Sequence, residues 1–352
     1  MESMSWLIFG AGAIGTYIGG SLALLSQAGG SPQRVVFVER PEVAAQVRPR
    51  GLHLNLNGEE HTIASPHITG SLPEALALGP FDAAILALKS YDTQPFITGL
   101  GEAARSLPPI LCLQNGVENE SLLEFALGQG KVIPGTVTSA VGRRDAGDIV
   151  LERKRGMGVA AGHPLSERLA AALSQAGLNA QLFPHSQDMK WSKMLTNLLA
   201  NASSAILDMT PAQIFADPRL FRLERQQLRE ALSVMVALGI SVVDLPGTPV
   251  RALAFAVRNL PASLSRPLLQ RAVGKGRGSK MPSFHIDLHS GRRLSEVDYL
   301  NGAVVRFGAQ AGVETPVNRL LNGTLLGLTR GEIPLETYAL QPEKLLEGLS
   351  RL

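Results

Sequence analysis

The first part of the chain alternates short apolar runs with stretches of helical period. The stretch 17–25 predicts a helix after the first run, and the run at 35–38 is rich in the β-branched residues that favour strands. Short apolar runs predict buried strands at 6–9, 35–38, 83–88, 110–113 and 132–133. This strand–helix–strand rhythm predicts a parallel sheet covered by helices.

A hairpin and a second group of strands follow from the same pattern. The stretch 52–64 alternates around Asn57-Gly58, a pair typical of tight hairpin turns, and predicts a small antiparallel excursion. A helix over 167–175 is expected to end at Gly177, because glycine suits the residue that follows a helix. Further strands are predicted at 149–151, 158–161 and 180–183.

Long helical patterns dominate the chain after His185. They are interrupted by proline and glycine, and they predict helices at about 188–208, 219–238, 249–259, 295–311 and 316–328. We therefore place a domain boundary near Pro184. The sequence predicts an α/β domain over 1–184 and an all-α domain over 185–352.

Composition and charge exclude several functional classes. The net charge is +3 with no basic block interleaved with aromatic residues, so we expect no nucleic-acid partner. No window reaches about 18 uninterrupted apolar residues, so we expect no membrane span. The single cysteine, Cys112, lies in an apolar run and predicts a core residue in a reducing cytoplasm, with neither an internal disulfide nor a thiolate zinc site.

A glycine-rich motif follows the first predicted strand. Gly10 permits a tight turn, Gly12 lets the backbone approach a pyrophosphate, and Gly15 lets the following helix pack close to the strand. The N-terminal N–H groups of that helix then bind the anion. The sequence predicts a dinucleotide site made by Gly10, Ala11, Gly12, Ala13, Ile14 and Gly15.

The second predicted strand ends in two residues of opposite charge. An acid at this place accepts a hydrogen bond from the ribose 2′-hydroxyl of NAD, whereas an arginine pairs with the 2′-phosphate of NADP. Glu39 and Arg40 offer both, so the residues alone leave the cofactor open.

Three polar residues share one face of the predicted helix 188–208. Lys193, Asn197 and Asn201 are spaced four apart and drift only about 80° around a helix. A lysine there can donate a proton to a forming alkoxide, and asparagines can hold the lysine and a substrate. A solvated helix face is the alternative, and Lys190 lies close enough to compete for the role of donor.

A second polar cluster precedes the helix predicted at 295–311. Ser295 suits the N-cap and Glu296 the first helical turn. His285, Asp287 and His289 are spaced so that they could share one face and chelate a divalent ion. We expect surface or capping histidines instead, and no metal.

These residues resemble the ketopantoate reductase (2-dehydropantoate 2-reductase) family over nearly the whole chain. The most specific part combines Trp191-x-Lys193-x-x-x-Asn197-x-x-x-Asn201 with Ser295-Glu-Val-Asp-Tyr-Leu-Asn-Gly302. The other blocks are the glycine motif from Phe9 to Gly15, Leu88-Lys89, Gln114-Asn115-Gly116 and Pro282-Ser283.

The resemblance implies a Rossmann-like dinucleotide-binding domain followed by an all-α domain. It also implies an NADPH-dependent enzyme that reduces the small 2-oxo acid 2-dehydropantoate (ketopantoate) to pantoate in pantothenate biosynthesis. It implies that Lys193 is the general acid, with Glu296 completing the site. Arg40 would favour NADPH. Further implied roles are substrate binding by Asn115, Asn197, Asn201 and Ser283, and nicotinamide contact by Lys89 and Asn115. Two rivals stay open: a reductase of another 2-oxo acid, and a non-catalytic dinucleotide sensor. The sequence leaves the oligomeric state open, a homodimer included.

Overall fold

The computed structural model describes residues 3–277 and 280–349, which divide into two compact units. The first unit comprises the chain up to Gln114, Glu118–Lys190 and Leu245–Thr248. The second comprises Asn115–Val117, Trp191–Asp244 and the chain from Pro249 onwards. Neither unit is one continuous stretch of the chain. The segment Asn115–Val117 of the second unit lies within the sequence range of the first, and Leu245–Thr248 of the first lies within that of the second.

The first unit is α/β. Its strands are β1 (Met4–Phe9), β2 (Gln33–Val38), β3 (Leu52–Leu56), β4 (Glu59–Ile63), β5 (His67–Thr69), β6 (Ala83–Leu86), β7 (Ile110–Cys112), β8 (Val132–Val137), β9 (Ala140–Asp145), β10 (Asp148–Arg153), β11 (Met157–Ala160) and β12 (Ala180–Phe183). Its helices are α1 (Ala13–Gln27), α2 (Pro41–Arg50), α3 (Leu72–Leu76), α4 (Thr93–Leu100), α5 (Asn119–Leu127) and α6 (Ser166–Gln175).

The larger sheet has the strand order β12-β11-β8-β7-β6-β1-β2-β5 among the described residues. Neighbouring strands are parallel except β8 and β11, which pair antiparallel. The predicted parallel sheet is thus confirmed with one exception. The exception arises because β9 and β10, rather than a crossover helix, connect β8 to β11, and an antiparallel pair needs no helical crossover.

The predicted hairpin belongs to a second sheet of order β4-β3-β10-β9. Asn57 and Gly58 both have positive φ, 57° and 92°, as the tight turn between β3 and β4 requires. Strand β10 then adds parallel to β3 and pairs antiparallel with β9, a strand that the sequence pattern did not predict.

The larger sheet is buried on both faces. Along β1, Trp6 and Ile8 pack into one hydrophobic cluster, and Leu7 and Phe9 pack into another. Alternate residues of a strand point to opposite faces, so a strand covered on both sides is apolar throughout. Cys112 is fully buried in the second cluster, as predicted.

The described part of the second unit is helical, as predicted. The helices that follow β12 are α7 (Ser186–Leu198), α8 (Ala202–Leu207), α9 (Pro211–Ala216), α10 (Pro218–Ala237), α11 (Val250–Asn259), α12 (Ala262–Arg277), α13 (Ser283–His289), α14 (Val297–Ala311), α15 (Pro316–Arg330) and α16 (Pro342–Leu349). The pattern missed α9, α12, α13 and α16; three of these are short, and α12 contains an internal proline, Pro267.

The prediction of one continuous helix over 188–208 is wrong. The chain over 188–208 forms two helices, because α7 ends at Leu198 and α8 starts at Ala202. Ala200, between them, has a φ of +50° and interrupts the right-handed helix.

Candidate active site

The glycine motif forms the tight turn between β1 and α1. Gly10 has a φ of +97°, and a Cβ on Gly15 would lie 1.8 Å from the Gly10 carbonyl oxygen, so both positions require glycine. A Cβ on Gly12 would meet no atom of the described residues within 4 Å. Gly12 is also the N-cap of α1 and has no side chain to cap it. The start of α1 therefore offers the open, backbone-lined cradle that a dinucleotide pyrophosphate needs.

The end of β2 lies beside this cradle. The Glu39 carboxylate accepts hydrogen bonds from the backbone N–H groups of Ala11 and Arg40, each at 2.9 Å. The Arg40 side chain is 69% exposed and lies 3.4 Å from Glu42. Of the two charged residues, Glu39 is the one that the structure places against the glycine turn.

Gln114 links the ends of two neighbouring strands of the larger sheet. Its side-chain amide donates to the Lys89 carbonyl oxygen at 2.9 Å, and its side-chain oxygen accepts from the Thr93 hydroxyl at 3.1 Å. Lys89 precedes a short 3₁₀ turn that follows β6, and Gln114 follows β7. The structure thus places Lys89 beyond the carboxyl end of a central parallel strand, where open α/β sheets bind ligands.

Lys190 is a buried structural residue of the first unit. Its ammonium lies 2.6 Å from the Glu120 carboxylate and donates to the carbonyl oxygens of Gln114 at 2.6 Å and Gly135 at 3.3 Å. The Lys190 side chain is 4% exposed. Its proton donors are committed to these acceptors, which makes it a poor rival to Lys193.

Lys193 and Asn197 lie one turn apart on α7 and are both partly buried. Residues four apart share a helix face. The Asn197 side-chain amide donates to the Asn115 side-chain oxygen at 3.0 Å. The structure therefore brings Asn115, far earlier in the chain, to the same helix as Lys193.

Asn201 does not continue that helix face, contrary to the sequence prediction. It follows the break at Ala200 and is the N-cap residue of α8. Its side chain instead holds the start of α13: the amide nitrogen donates to the Ser283 hydroxyl at 3.3 Å, and the oxygen accepts from the Phe284 N–H at 3.1 Å. Asn201 and Ser283, to which the resemblance gives substrate-binding roles, are thus direct neighbours.

Glu296 lies just before helix α14, whereas the sequence predicted it within the first helical turn. Helix α14 starts at Val297, so Glu296 is the N-cap residue rather than a residue of the first turn. The predicted capping hydroxyl still acts, because Ser295 accepts from the Val297 N–H at 3.2 Å. Glu296 is only 1% exposed, and burying a carboxylate is costly unless other groups stabilise it. Burial to this degree distinguishes it from an ordinary exposed helix-start acid.

Two histidines of α13 lie close to Asp208, the residue that follows α8. The rings of His285 and His289 have centroids 4.2 Å apart with their planes tilted by 40°, and His285 Nε2 lies 2.7 Å from Asp208 Oδ1. The ligand atoms of the three residues lie within 4.8 Å of one another. Asp208 thus takes the place that the sequence spacing offered to Asp287. The prediction of no metal stays a prediction.

The sequence pattern missed the residues that stabilise the break between α7 and α8. Glu224, 1% exposed, accepts from the Ala200 N–H at 2.7 Å and from the Ser203 hydroxyl at 2.5 Å. The Gln227 side chain donates to the Leu198 carbonyl oxygen at 3.2 Å and to Glu224 at 2.7 Å. The signal available in the sequence was two polar residues on the buried side of an amphipathic helix, which local patterns cannot assign to a partner.

Two family models match most of the chain. Residues 6–162 match the model described as Ketopantoate reductase PanE/ApbA, and residues 186–328 match Ketopantoate reductase PanE/ApbA C terminal. The chain belongs to the ketopantoate reductase family. The resemblance found in the sequence is confirmed, and so is the fold class that it implied.

Three known proteins are similar to this ketopantoate reductase family member over nearly their full length. The 2-dehydropantoate 2-reductase of Archaeoglobus fulgidus is 28% identical over 328 residues, which are 92% of this chain and 96% of that protein. A PanE/ApbA family ketopantoate reductase from Ralstonia eutropha JMP134 has a similar crystal structure, with a TM-score of 0.76 and 25% identity, covering 94% and 99% of the two chains. D-mandelate dehydrogenase, in its ternary structure with NADH and anilino(oxo)acetate, shares the fold, with a TM-score of 0.73 and 23% identity, covering 93% and 99%.

The family is one of oxidoreductases with a dinucleotide-binding domain. The glycine turn at the start of α1 gives this chain the corresponding cradle. Within the residues that the structure describes, no helix combines the length and the apolar character needed to span a bilayer.

Proposed function

We propose that this ketopantoate reductase family member reduces 2-dehydropantoate to pantoate with a reduced nicotinamide dinucleotide, as a step of pantothenate biosynthesis. The relatives named 2-dehydropantoate 2-reductase support the reaction. The single observation that carries the proposal is the group on α7: Lys193 lies one turn from Asn197, and Asn197 is hydrogen-bonded to Asn115. A sensor that binds a dinucleotide without chemistry has no need of a lysine at this place on the helix.

Lys193 is the proposed proton donor. As the keto carbon gains a hydride, its oxygen gains negative charge, and an ammonium beside it stabilises that charge and then gives up a proton. Asn197 and Asn115 orient the oxygen and the lysine. The buried ion pair of Lys190 with Glu120 supports the choice of Lys193, because it occupies the other candidate.

Asn201, Ser283 and Glu296 are the proposed substrate-side residues. The Asn201 amide fixes the Ser283 hydroxyl at the start of α13, which leaves the hydroxyl able to donate to a substrate oxygen. Glu296 accepts from a substrate hydroxyl in this proposal. Ketopantoate is a 2-oxo acid that also has a hydroxyl group. It can therefore pair with both the hydrogen-bond donors and the acceptors of this set.

The glycine turn and the ends of the neighbouring strands are the proposed cofactor site. The turn from Gly10 to Gly15 holds the pyrophosphate through backbone N–H groups other than those of Gly10 and Ala11, which donate to Val38 and Glu39. Lys89 and Asn115 hold the nicotinamide side. When bound, the reduced nicotinamide supplies the hydride. The resemblance gives Arg40 a role in favouring NADPH, but the reaction proposed here requires only a reduced nicotinamide dinucleotide. A homodimer and a cytoplasmic location stay predictions.

The test is oxidation of the reduced cofactor with ketopantoate, compared by kcat/KM with a panel of other 2-oxo acids. The panel includes phenylglyoxylate, the keto form of mandelate, because D-mandelate dehydrogenase shares the fold. We expect ketopantoate to have the highest kcat/KM. A higher kcat/KM for an aromatic 2-oxo acid would indicate that aromatic 2-oxo acids are the substrates. Cofactor binding without any turnover would favour the non-catalytic dinucleotide sensor.

A further inference from the structure

Glu39 is held rigidly at the end of β2. Its Oε1 accepts from the Ala11 N–H at 2.9 Å, and its Oε2 accepts from the Arg40 N–H at 2.9 Å. Its own backbone N–H donates to the Thr69 carbonyl oxygen at 3.1 Å. The carboxylate is thus tied to the glycine turn on one side and to the start of α2 on the other.

This position is the one that meets the adenosine ribose. In a parallel sheet with a glycine turn after its first strand, the ribose lies at the end of the second strand, and an acid there accepts from the 2′-hydroxyl. A carboxylate has about four lone-pair sites. The two backbone hydrogen bonds use one on each oxygen, so Glu39 can still accept from a ribose hydroxyl.

Arg40 is placed less favourably for a competing role. Its side chain is 69% exposed, and its ion pair is with Glu42, itself 61% exposed, at 3.4 Å. A solvent-exposed guanidinium on a long side chain is screened by water and salt, and ordering it costs entropy. A 2′-phosphate at the end of β2 would therefore be repelled by the hydrogen-bonded carboxylate of Glu39. The exposed Arg40 side chain would have to be ordered before it could pair with that phosphate.

We propose that Glu39 makes NADH, not NADPH, the preferred cofactor of this chain. The proposal rests on the proposed function of a nicotinamide-dependent reductase and revises the expectation drawn from Arg40. A 2′-hydroxyl donates a charge-assisted hydrogen bond to the carboxylate. A 2′-phosphate brings two or nearly two negative charges to the same place and has only acceptors to offer.

The test is equilibrium binding of NADH and of NADPH to the full chain, followed by the fluorescence of the reduced nicotinamide with no 2-oxo acid present. Both titrations use the same salt concentration, because screening changes the result. We expect the wild-type Kd for NADH to be at least about tenfold below that for NADPH, the scale of one hydrogen bond to a charged group.

Two matched variants isolate the carboxylate. Glu39→Gln keeps the size and one acceptor oxygen but removes the charge, and we expect it to lower the Kd for NADPH by about tenfold or more. Glu42→Gln removes an equal charge three residues away and releases Arg40 from its ion pair. We expect Glu42→Gln to change the ratio of the two Kd values by less than about twofold, in keeping with a weak surface pair.

The outcomes separate this proposal from the proposed function. Wild-type protein that binds NADPH as tightly as NADH, or more tightly, overturns the role of Glu39 even if Glu39→Gln does not fold. Equal shifts in Glu39→Gln and Glu42→Gln would also overturn it, since net charge alone would then explain them. Binding of neither cofactor would overturn the proposed function too, whereas NADH preference without reduction of ketopantoate would overturn only the proposed substrate.

Discussion

The Glu224 carboxylate accepts a hydrogen bond from the Ala200 backbone N–H at 2.7 Å, in the interior of the helical unit. This contact stabilises the break between α7 and α8, which separates Asn197 from Asn201. Helix ends leave backbone donors and acceptors without intrahelical partners, and buried ones must be satisfied elsewhere. Glu224 and Gln227 satisfy them, so the local shape of the proposed substrate site depends on a helix remote in sequence.

Glu224→Ala should destabilise the protein by about 3 kcal/mol, because a buried N–H and hydroxyl lose a charged acceptor. Urea unfolding measures the change. Glu343→Ala is the control, since Glu343 forms an exposed ion pair with Arg219 whose loss should have little effect on stability. Equal effects of the two substitutions would contradict a special role for Glu224.

Lys193→Ala should lower kcat by about 100-fold or more, the usual cost of losing a general acid. Cofactor affinity should hardly change, because Lys193 is proposed to act on the substrate oxygen. Steady-state kinetics and cofactor titration measure the two effects, with the exposed Lys344→Ala as control. A variant that retains full kcat would show that another group donates the proton.

Lys190→Met should lower the stability of the folded protein. It leaves the buried Glu120 carboxylate without its ion-pair partner, which typically costs about 3–5 kcal/mol. The double variant Lys190→Met/Glu120→Gln removes the uncompensated charge and should recover part of the loss. If Lys190→Met were as stable as wild type but inactive, Lys190 rather than Lys193 would be the donor.

Asn201→Ala should both weaken substrate binding and destabilise the protein. It leaves the buried Phe284 N–H without its acceptor, at about 1–3 kcal/mol, and frees the Ser283 hydroxyl. Ser283→Ala is the matched variant, because it spares the hydrogen bond that the Phe284 N–H donates to Asn201. We expect Ser283→Ala to raise the KM for the 2-oxo acid with little change in Tm, and a large drop in its Tm would argue for a purely structural role.

Glu230 should make stability fall as pH rises. Its carboxylate accepts from the N–H groups of Val317 and Asn318 at the start of α15, and burial, only partly offset by these bonds, raises the pKa of Glu230 above 4.5. A group whose pKa is raised on folding contributes stability below its unfolded pKa and loses it as pH rises through the folded value.

Unfolding free energies of wild type and Glu230→Gln, measured from about pH 4 to pH 7, test this. Wild type should lose stability relative to the glutamine variant as pH increases. The opposite trend would mean that the backbone hydrogen bonds outweigh burial at Glu230.

The sequence by itself determined the elements whose signal is local. Continuous apolar runs identified the central strands, because strands covered on both faces contain little else. The glycine motif and Asn57-Gly58 identified their turns, because positive φ at Gly10 and at the hairpin restricts the residue type at the position itself. The helical period of apolar positions identified most of the long helices of the second unit, because this signal also lies within the element itself.

Only the tertiary structure decided which polar groups meet. Nothing near Asn201 in sequence indicates that its amide holds residues 82 and 83 positions later, or that Glu224 stabilises a break 24 positions earlier. Asp208 replaced Asp287 beside the histidines in the same way. A buried polar side chain must find a partner, but sequence periodicity specifies only that it is buried. The partner is fixed by the packing of distant segments. The same packing decides the break between α7 and α8 and the choice between Glu39 and Arg40 at the glycine turn.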